Sequence, residues 1–467
     1  MRLWYVSSDQ LSPAQLGAAR LGPEEHRLIV GAPGSGKTIV LLHRAGYLLD
    51  RHNIKPDRLR IFAYTNALTD YIKSALPLVP IREDCVTTFD SWCKEFHTSF
   101  IDRTLPRGEH GPDFDALRSA VLAKLRSATS FKPLPPPRTA DQIVRSMERQ
   151  GIRGPQAEAA CRGLHEQFSN QKPVARPFFD AVLVDEGQDL NADAFEIIKL
   201  ISPHVTVCMD HKQQIYDGRC AEKDILSILG LRRRSVPLLE AHRCSPYISR
   251  LAATLIEESQ ERQEFLNQIR TAQEERLTPL LFVAANTHDE KAEVANILRM
   301  RQHSGDRIAV LLPRNAQLFS MARVLTDAGL EIEVPAAPGR NDFPAHDFTS
   351  DRPKLMTYHG AKGLTFDSVL LPRLACSSFH SASDSQLKRM LFVGMTRATR
   401  WLYLSGCEGN LLPSIAALIP METEGILSVR YSEAIPSDLF GWPPQPRTIP
   451  APAHEPIVPA DKLLDIL

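Results

Sequence analysis

The sequence holds no C-x-x-C pair; its eight cysteines (85, 93, 161, 208, 220, 244, 376 and 407) stand apart. That spacing argues against a zinc or iron–sulfur site, so no structural metal is expected, and a reducing cytoplasm is the default location. No apolar stretch approaches the roughly 20 residues of a membrane span, and Met1 to Ser12 lacks an apolar run of signal-peptide length. Neither charge is in excess: Lys plus Arg and Asp plus Glu both number 55. A uniformly basic nucleic-acid coat is therefore absent, although a local basic groove is compatible with this balance. No internal repeat of fixed period is visible. What remains is 467 residues, 43% apolar and 24% charged. That is ordinary globular composition, long enough for two or three domains.

Against this plain background one stretch stands out. Residues 31–38 read Gly31-Ala32-Pro33-Gly34-Ser35-Gly36-Lys37-Thr38, which satisfies G-x-x-x-x-G-K-[ST] at every fixed position. A short apolar run, Arg27 to Val30, precedes it, and Ile39 to Leu49 follows with apolar residues at helical spacing. Strand, glycine loop and helix let backbone N–H groups and a helix N-terminus converge on phosphate oxygens. The pattern predicts that Lys37 reaches the β- and γ-phosphates of ATP and that the Thr38 hydroxyl holds Mg²⁺. Gln15, upstream, carries an amide with a donor and an acceptor suited to reading an adenine edge.

Further strands are predicted at Arg58 to Tyr64, Val86 to Phe89, Ala181 to Val184 and Val205 to Met209. Tyr64, Thr65 and Asn66 end the first of these and Thr88 the second. Polar and aromatic residues at strand ends suit gripping a nucleic-acid backbone and stacking a base, with Trp92 another aromatic there. Burial of Tyr64 and Trp92 as core residues is the competing expectation. The run Ala181 to Val184 delivers Asp185-Glu186-Gly187-Gln188-Asp189. An apolar strand ending in an Asp-Glu pair suits a Mg²⁺–nucleotide site, with Asp185 on the metal and Glu186 as base for the attacking water. Strands alternating with helices make a parallel α/β sheet with ligands at the strand ends.

Between these strands, residues 97–177 read as a mostly helical insertion. A helix from Asp113 carries Phe114, Leu117, Val121, Leu122 and Leu125 on one face, a Pro-rich break follows at 133–137, and helical sequence resumes from Thr139. A second strand set is predicted at Val236 to Glu240, Leu280 to Ala285, Arg307 to Leu312, Lys354 to Tyr358, Asp367 to Leu371 and Trp401 to Ser405. It forms a second α/β domain without a phosphate loop, bearing Arg243 and Arg397. Seven prolines between 443 and 459 mark an extended tail.

With these pieces in order, the chain resembles the UvrD/Rep/PcrA-type superfamily 1 helicases, from Gln15 to about Ser405. Gln15 matches the adenine-reading glutamine, and Gly31 to Thr38 the phosphate loop. Tyr64-Thr65-Asn66 looks like Phe-Thr-Asn, and Thr88-Phe89-Asp90-Ser91 like Thr-Phe-His-Ser. Asp185 to Asp189 resembles Asp-Glu-x-Gln-Asp. Asp210-x-x-Gln213-Gln214-Ile215-Tyr216 resembles the segment whose glutamine, here Gln213, senses the γ-phosphate. His242-Arg243-Cys244 sits where the family has Tyr-Arg-Ser. Thr357 to Phe366 is close to Thr-x-His-x-x-Lys-Gly-Leu-Glu-Phe, with His359 a nucleic-acid contact. Phe392 to Ala398 is close to Tyr-Val-x-x-Thr-Arg-Ala.

The resemblance implies two RecA-like parallel-sheet domains with ATP between them. The first spans 1–96 and 178–230, with 97–177 inserted; the second spans 231–440; the Pro-rich tail is 441–467. Arg243 and Arg397 become the arginines that stabilise transition-state charge, and His242 takes the adenine-framing position. The implied activity is ATP-driven stepping on single-stranded DNA, 3′ to 5′. Three departures qualify this. Gly218 replaces an aromatic that stacks on a base, Thr365 replaces a glutamate, and only residues 335–353 stand where the family carries a large helical insertion. Thr365 bears on nucleotide selectivity; Gly218 and the short segment, with the balanced charge and the Pro-rich tail, raise a second expectation: a nucleotide-gated nucleic-acid sensor that controls a partner protein such as a nuclease without processive unwinding.

Overall fold

The computed structural model of the chain describes residues 4–32, 34–108, 111–134, 172–210, 220–231, 236–238, 245–267, 277–336, 343–379 and 382–432. It contains two six-stranded, all-parallel sheets. The first is built from β1 (Arg27–Gly31), β2 (Leu59–Ala63), β3 (Val86–Thr88), β4 (Ala181–Val184), β5 (His204–Met209) and β6 (Val236–Leu238), in the order β6-β1-β5-β4-β2-β3. The central strands β4 and β5 are buried along their whole length. That is why β4 reads as a continuous apolar run, whereas in β5 the buried His204 and Thr206 alternate with apolar residues and meet Arg44.

Helices cover both faces. On one, α2 (Lys37–Arg51) and α3 (Asn66–Ala75) pack on Ile29, Ile61 and Leu183. On the other, α4 (Phe89–Phe100), α5 (Phe114–Ser127), α6 (Ala192–Ile201) and α7 (Glu222–Leu229) pack on Leu28, Phe62, Val182 and Val207. Ahead of them lies α1 (Pro13–Ala19). Ser12 and Gln15 close its first turn reciprocally, and Pro13 occupies a position where its missing N–H costs nothing.

The second sheet comprises β7 (Leu280–Ala284), β8 (Ile308–Leu312), β9 (Lys354–Thr357), β10 (Phe366–Leu371), β11 (Ala398–Cys407) and β12 (Ser428–Tyr431), ordered β9-β8-β10-β11-β7-β12. Helices α8 (Pro246–Ala253), α9 (Ser259–Asn267), α10 (Thr287–His303), α11 (Asn315–Asp327), α12 (Asp384–Met395) and α13 (Pro413–Ala416) accompany it. One apolar cluster runs through both domains, from Ile29 and Leu183 to Met356, Tyr358 and Leu391.

Three expectations change. Val236–Leu238 pairs with β1, Ile29 opposite Val236 and Gly31 opposite Leu238. It therefore belongs to the first sheet, and the first domain extends past 230. Pro237, lacking an N–H, suits an edge strand. The division at 97 also fails as a border. Helix α4 runs through it, and Leu117, Val121, Leu122 and Leu125 of α5 lie in the same core as Phe62 and Val182. The helical sequence expected from Thr139 lies within residues 135–171, outside the described residues. Finally, β12 extends the second sheet beside β7, a strand the sequence reading did not anticipate.

The segment ahead of β9 is a short structured loop in its described part. Buried Glu333 pairs with Lys354 at 2.9 Å and accepts from Asp347 N at 2.7 Å. His346 contacts the Leu355 carbonyl at 2.9 Å. Phe348 at the loop's tip meets Tyr71 of α3 edge-on, centroids 5.4 Å apart, and Tyr71 in turn stacks on Trp4.

Candidate nucleotide site and nucleic-acid face

The site grows from the carboxyl ends of β1, β4 and β5, which lie side by side. After β1 the chain turns through Gly34 and Gly36, both at φ +82, a conformation that favours glycine. A side chain on Gly36 would also meet Gln15 Nε2 at 2.6 Å. That amide donates to Ser35 O at 2.9 Å, while Gln15 Oε1 accepts from Ser12 N at 2.9 Å. Gln15 is thus fastened to the phosphate loop by its amide nitrogen and to the cap of its own helix by its amide oxygen. Gly31, Ala32, Gly34 and Ser35 complete the described loop; Pro33 lies outside the described residues.

Lys37 and Thr38 open α2. Lys37 Nζ donates to Gly31 O and Ala32 O, both at 3.0 Å, and pairs with Asp210 Oδ2 at 3.3 Å. The ammonium therefore lies across the loop where phosphate charge would be received. Thr38 Oγ1 donates to Asp185 Oδ2 at 2.7 Å, and Asp185 Oδ1 accepts from Glu186 N at 3.1 Å. Burial, then the neighbouring Glu186 charge, raises the Asp185 carboxyl above the usual range; Thr38 and Lys37 oppose this. Magnesium prefers a few hard oxygens together with water and phosphate, and this hydroxyl–carboxylate pair fits that demand. Among the described residues no three His, Cys, Asp or Glu side chains gather as a self-contained metal site.

Glu186 sits at φ +54, rare for a residue with a side chain. It closes β4 into the short helical turn Gly187–Asp189. Gln188 Nε2 donates to Glu186 Oε2, and Gln188 Oε1 accepts from Asp210 N at 3.0 Å. Gln188 thereby links the base to the residue that holds Lys37. Gly187 leaves room for this: a side chain there would lie 2.4 Å from Val207.

The second domain meets this turn directly. Lys362 Nζ pairs with Asp189 Oδ1 at 2.7 Å, both buried. Gly363, at φ +78, approaches so closely that a Cβ would lie 3.0 Å from Leu68 and 3.5 Å from Glu186 Oε1. Arg397 is buried and donates to Val393 O at 3.0 Å and Leu364 O at 3.2 Å. Its guanidinium is held by the turn that contacts Glu186. Gln213, His242, Arg243 and Gly218 lie outside the described residues.

The expected nucleic-acid residues lie at the ends of β2, β3 and β9. Tyr64 is half-buried against the core of the first domain, and Asn66 is exposed at the start of α3. Thr65 and Thr88 cap α3 and α4, accepting from Leu68 N and Ser91 N, each at 3.1 Å. His359 is half-buried; burial and then Lys362 lower its pKa. Trp92 is only 8% exposed, stacked on Phe96 and edge-on to Phe62, so it is packing. The sequence reading gave no role to Gln188, Asp189, Asp210 or Lys362. All four were inside quoted motifs; the missing information was which side chains face one another.

Residues 11–130 and 160–230 match the UvrD/REP helicase N-terminal domain, and residues 341–409 match the UvrD-like helicase C-terminal domain. The chain is similar to a probable DNA helicase II homologue of Mycoplasma capricolum, 25% identical over 268 residues, covering 47% of this chain and 36% of that protein. It is also 25% identical to ATP-dependent DNA helicase PcrA of Bacillus subtilis over 387 residues, 71% of this chain and 51% of the relative. With DNA helicase II of Escherichia coli the identity is 25% over 383 residues, 70% and 51%. The matched regions thus take in between a third and about half of each relative's length. Among the described residues no helix is long and apolar enough to cross a membrane.

Proposed function

Because the chain belongs to the UvrD/REP helicase family, we propose that it is an ATP hydrolase that moves along single-stranded DNA, 3′ to 5′, using two RecA-like domains as alternating grips. The observation that carries this reading is the buried 2.7 Å contact between Thr38 Oγ1 and Asp185 Oδ2, with Lys37 beside it. When bound there, Mg²⁺ would neutralise phosphate charge. Lys37 exchanges its carbonyl partners for phosphate oxygens. Glu186, held by Gln188, takes a proton from the attacking water. Arg397, and Arg243 with it, meets the charge that develops as the γ-phosphoryl leaves. Tyr64, Thr65, Asn66, Thr88 and His359 form the nucleic-acid face. Gln15, on exchanging its bonds to Ser35 O and Ser12 N for the adenine edge, frames the base with His242, and Gln213 senses the γ-phosphate.

The test is phosphate release with and without single-stranded DNA, alongside displacement of a labelled strand from a duplex, with Lys37→Ala as the inactive control. DNA-stimulated hydrolysis abolished by Lys37→Ala is expected; hydrolysis indifferent to both would overturn the reading. A second reading, a nucleotide-gated module that controls a partner such as a nuclease, is favoured by one observation. The loop ahead of β9, standing where the resemblance implies a large insertion, docks Phe348 on Tyr71 of the other domain. Stimulated hydrolysis without strand displacement would select it.

A further inference from the structure

Asp189 and Lys362 are 0% and 2% exposed, and their 2.7 Å pair joins the two domains. A buried ion pair loses the hydration of both charges, and its mutual attraction often only offsets that loss. Stability is therefore a weak explanation for it, whereas fixing a register between two surfaces is a better one. The surfaces concerned are specific. Asp189 ends the turn that begins at Glu186, with Asp189 N bonded to Glu186 O at 3.1 Å. Lys362 precedes Gly363, whose Cα faces Glu186 Oε1, and Leu364, whose carbonyl receives Arg397. The backbone of this turn is tight: Thr357 Oγ1 accepts from Gly360 N at 3.1 Å, and Lys362 N donates to His359 O at 3.2 Å. A displacement of Lys362 would thus move Gly363 and Leu364 with it.

We propose that the Lys362–Asp189 pair is a positioning contact for hydrolysis, seating the second-domain turn so that Glu186 and Arg397 are aimed at the same nucleotide. Neither residue touches the reacting atoms. Lys362 acts through Gly363 on the base and through Leu364 on the arginine. His359 stands three residues earlier on the same turn, so strand contact at His359 is transmitted to the base through the same short segment. This inference rests on the reading of the site as an ATPase.

The experiment compares wild type, Lys362→Met, Lys362→Arg and the double variant Lys362→Met/Asp189→Leu as full chains. Nucleotide affinity, turnover with and without single-stranded DNA, and melting temperature are measured for each. Misplacing reacting groups by about an ångström costs on the order of 10²-fold in rate, so Lys362→Met should lose turnover on that scale with nucleotide affinity retained. Lys362→Arg, which keeps the charge, should recover part of it. The double variant removes both charges of the pair, so it should melt closer to wild type than Lys362→Met does and still turn over slowly. A double variant that turns over at the wild-type rate overturns the proposal. So does one that loses affinity and turnover in equal proportion, or one that fails to fold. Absence of hydrolysis by the wild-type chain would instead sink the ATPase reading itself.

Discussion

Replacing Glu186 by glutamine removes one negative charge and keeps the shape of the side chain. In the fold this residue is 4% exposed and adjoins the buried Asp185. Its Oε2 holds Gln188, and its Oε1 faces Gly363. The amide oxygen of glutamine can still accept from Gln188, so the turn should survive. Turnover should fall by about 10²–10⁴-fold, the usual contribution of a positioned base, or roughly 3–5 kcal/mol of barrier. Stability should move the other way. The Glu186 charge is one of the two causes raising the Asp185 carboxyl, so its removal relieves a repulsion in a place with little solvent to screen it. The melting temperature should rise. Nucleotide affinity should hold, because Thr38 and Asp185 are untouched. The assays are phosphate release at saturating ATP, competition with a fluorescent nucleotide, and a thermal melt. Hydrolysis at the wild-type rate refutes the assignment of Glu186 as base. Equal losses of affinity and turnover refute it too, placing Glu186 in ground-state binding.

Arg397→Ala should lower turnover far more than ATP affinity. It should also cost about 1–3 kcal/mol of stability by removing the buried donor to Leu364 O and one of the two donors to Val393 O; a chemical melt beside the kinetics separates the two, and unchanged turnover would remove Arg397 from the site. Tyr64→Ala should weaken single-strand binding by roughly 1–3 kcal/mol in an anisotropy titration. Trp92→Ala, by contrast, should cost about 3–5 kcal/mol of stability, as removal of a large buried aromatic does; the reverse pattern would redraw the strand's path. Acid should destabilise the fold through its buried histidines. Burial first, then Arg44 and His26, pushes His204 down to about 3, and burial pushes His346 down to about 4. Their neutral forms are favoured in the fold. This contribution is therefore complete above the ordinary histidine value of about 6.5 and is lost as pH falls below it, about 2 kcal/mol for His204 alone at pH 5. Urea midpoints that rise from pH 7 to pH 5 would contradict this.

Much of the site was legible because its parts are local. The phosphate loop needs glycines at set positions, and Gly34 and Gly36 adopt the positive φ that such a loop demands. The run Ala181 to Val184 announced a buried strand, and the acids it delivers lie beside Thr38. Harder to read were side chains whose work depends on distant neighbours. Trp92 and Tyr64 both follow strands, yet one fills an aromatic core and the other is half-buried at its margin. Thr65 and Thr88 stand where a nucleic-acid contact is expected, and their hydroxyls also cap helices, a local role that the same residue type serves equally well.

The sequence by itself determined most of the strands and the family motifs at their ends, since each depends on residue type and short spacing. Only the tertiary structure decided which sheet received Val236–Leu238. A three-residue apolar strand carries no mark of its partner, and pairing with β1 turns on which edge is open. Tertiary structure likewise decided that Asp189, 173 residues from Lys362, would meet it. It also set Gly363 against Glu186 and Phe348 against Tyr71. Contacts between domains are made by surfaces whose complementarity is a property of shape, and no spacing along the chain encodes it.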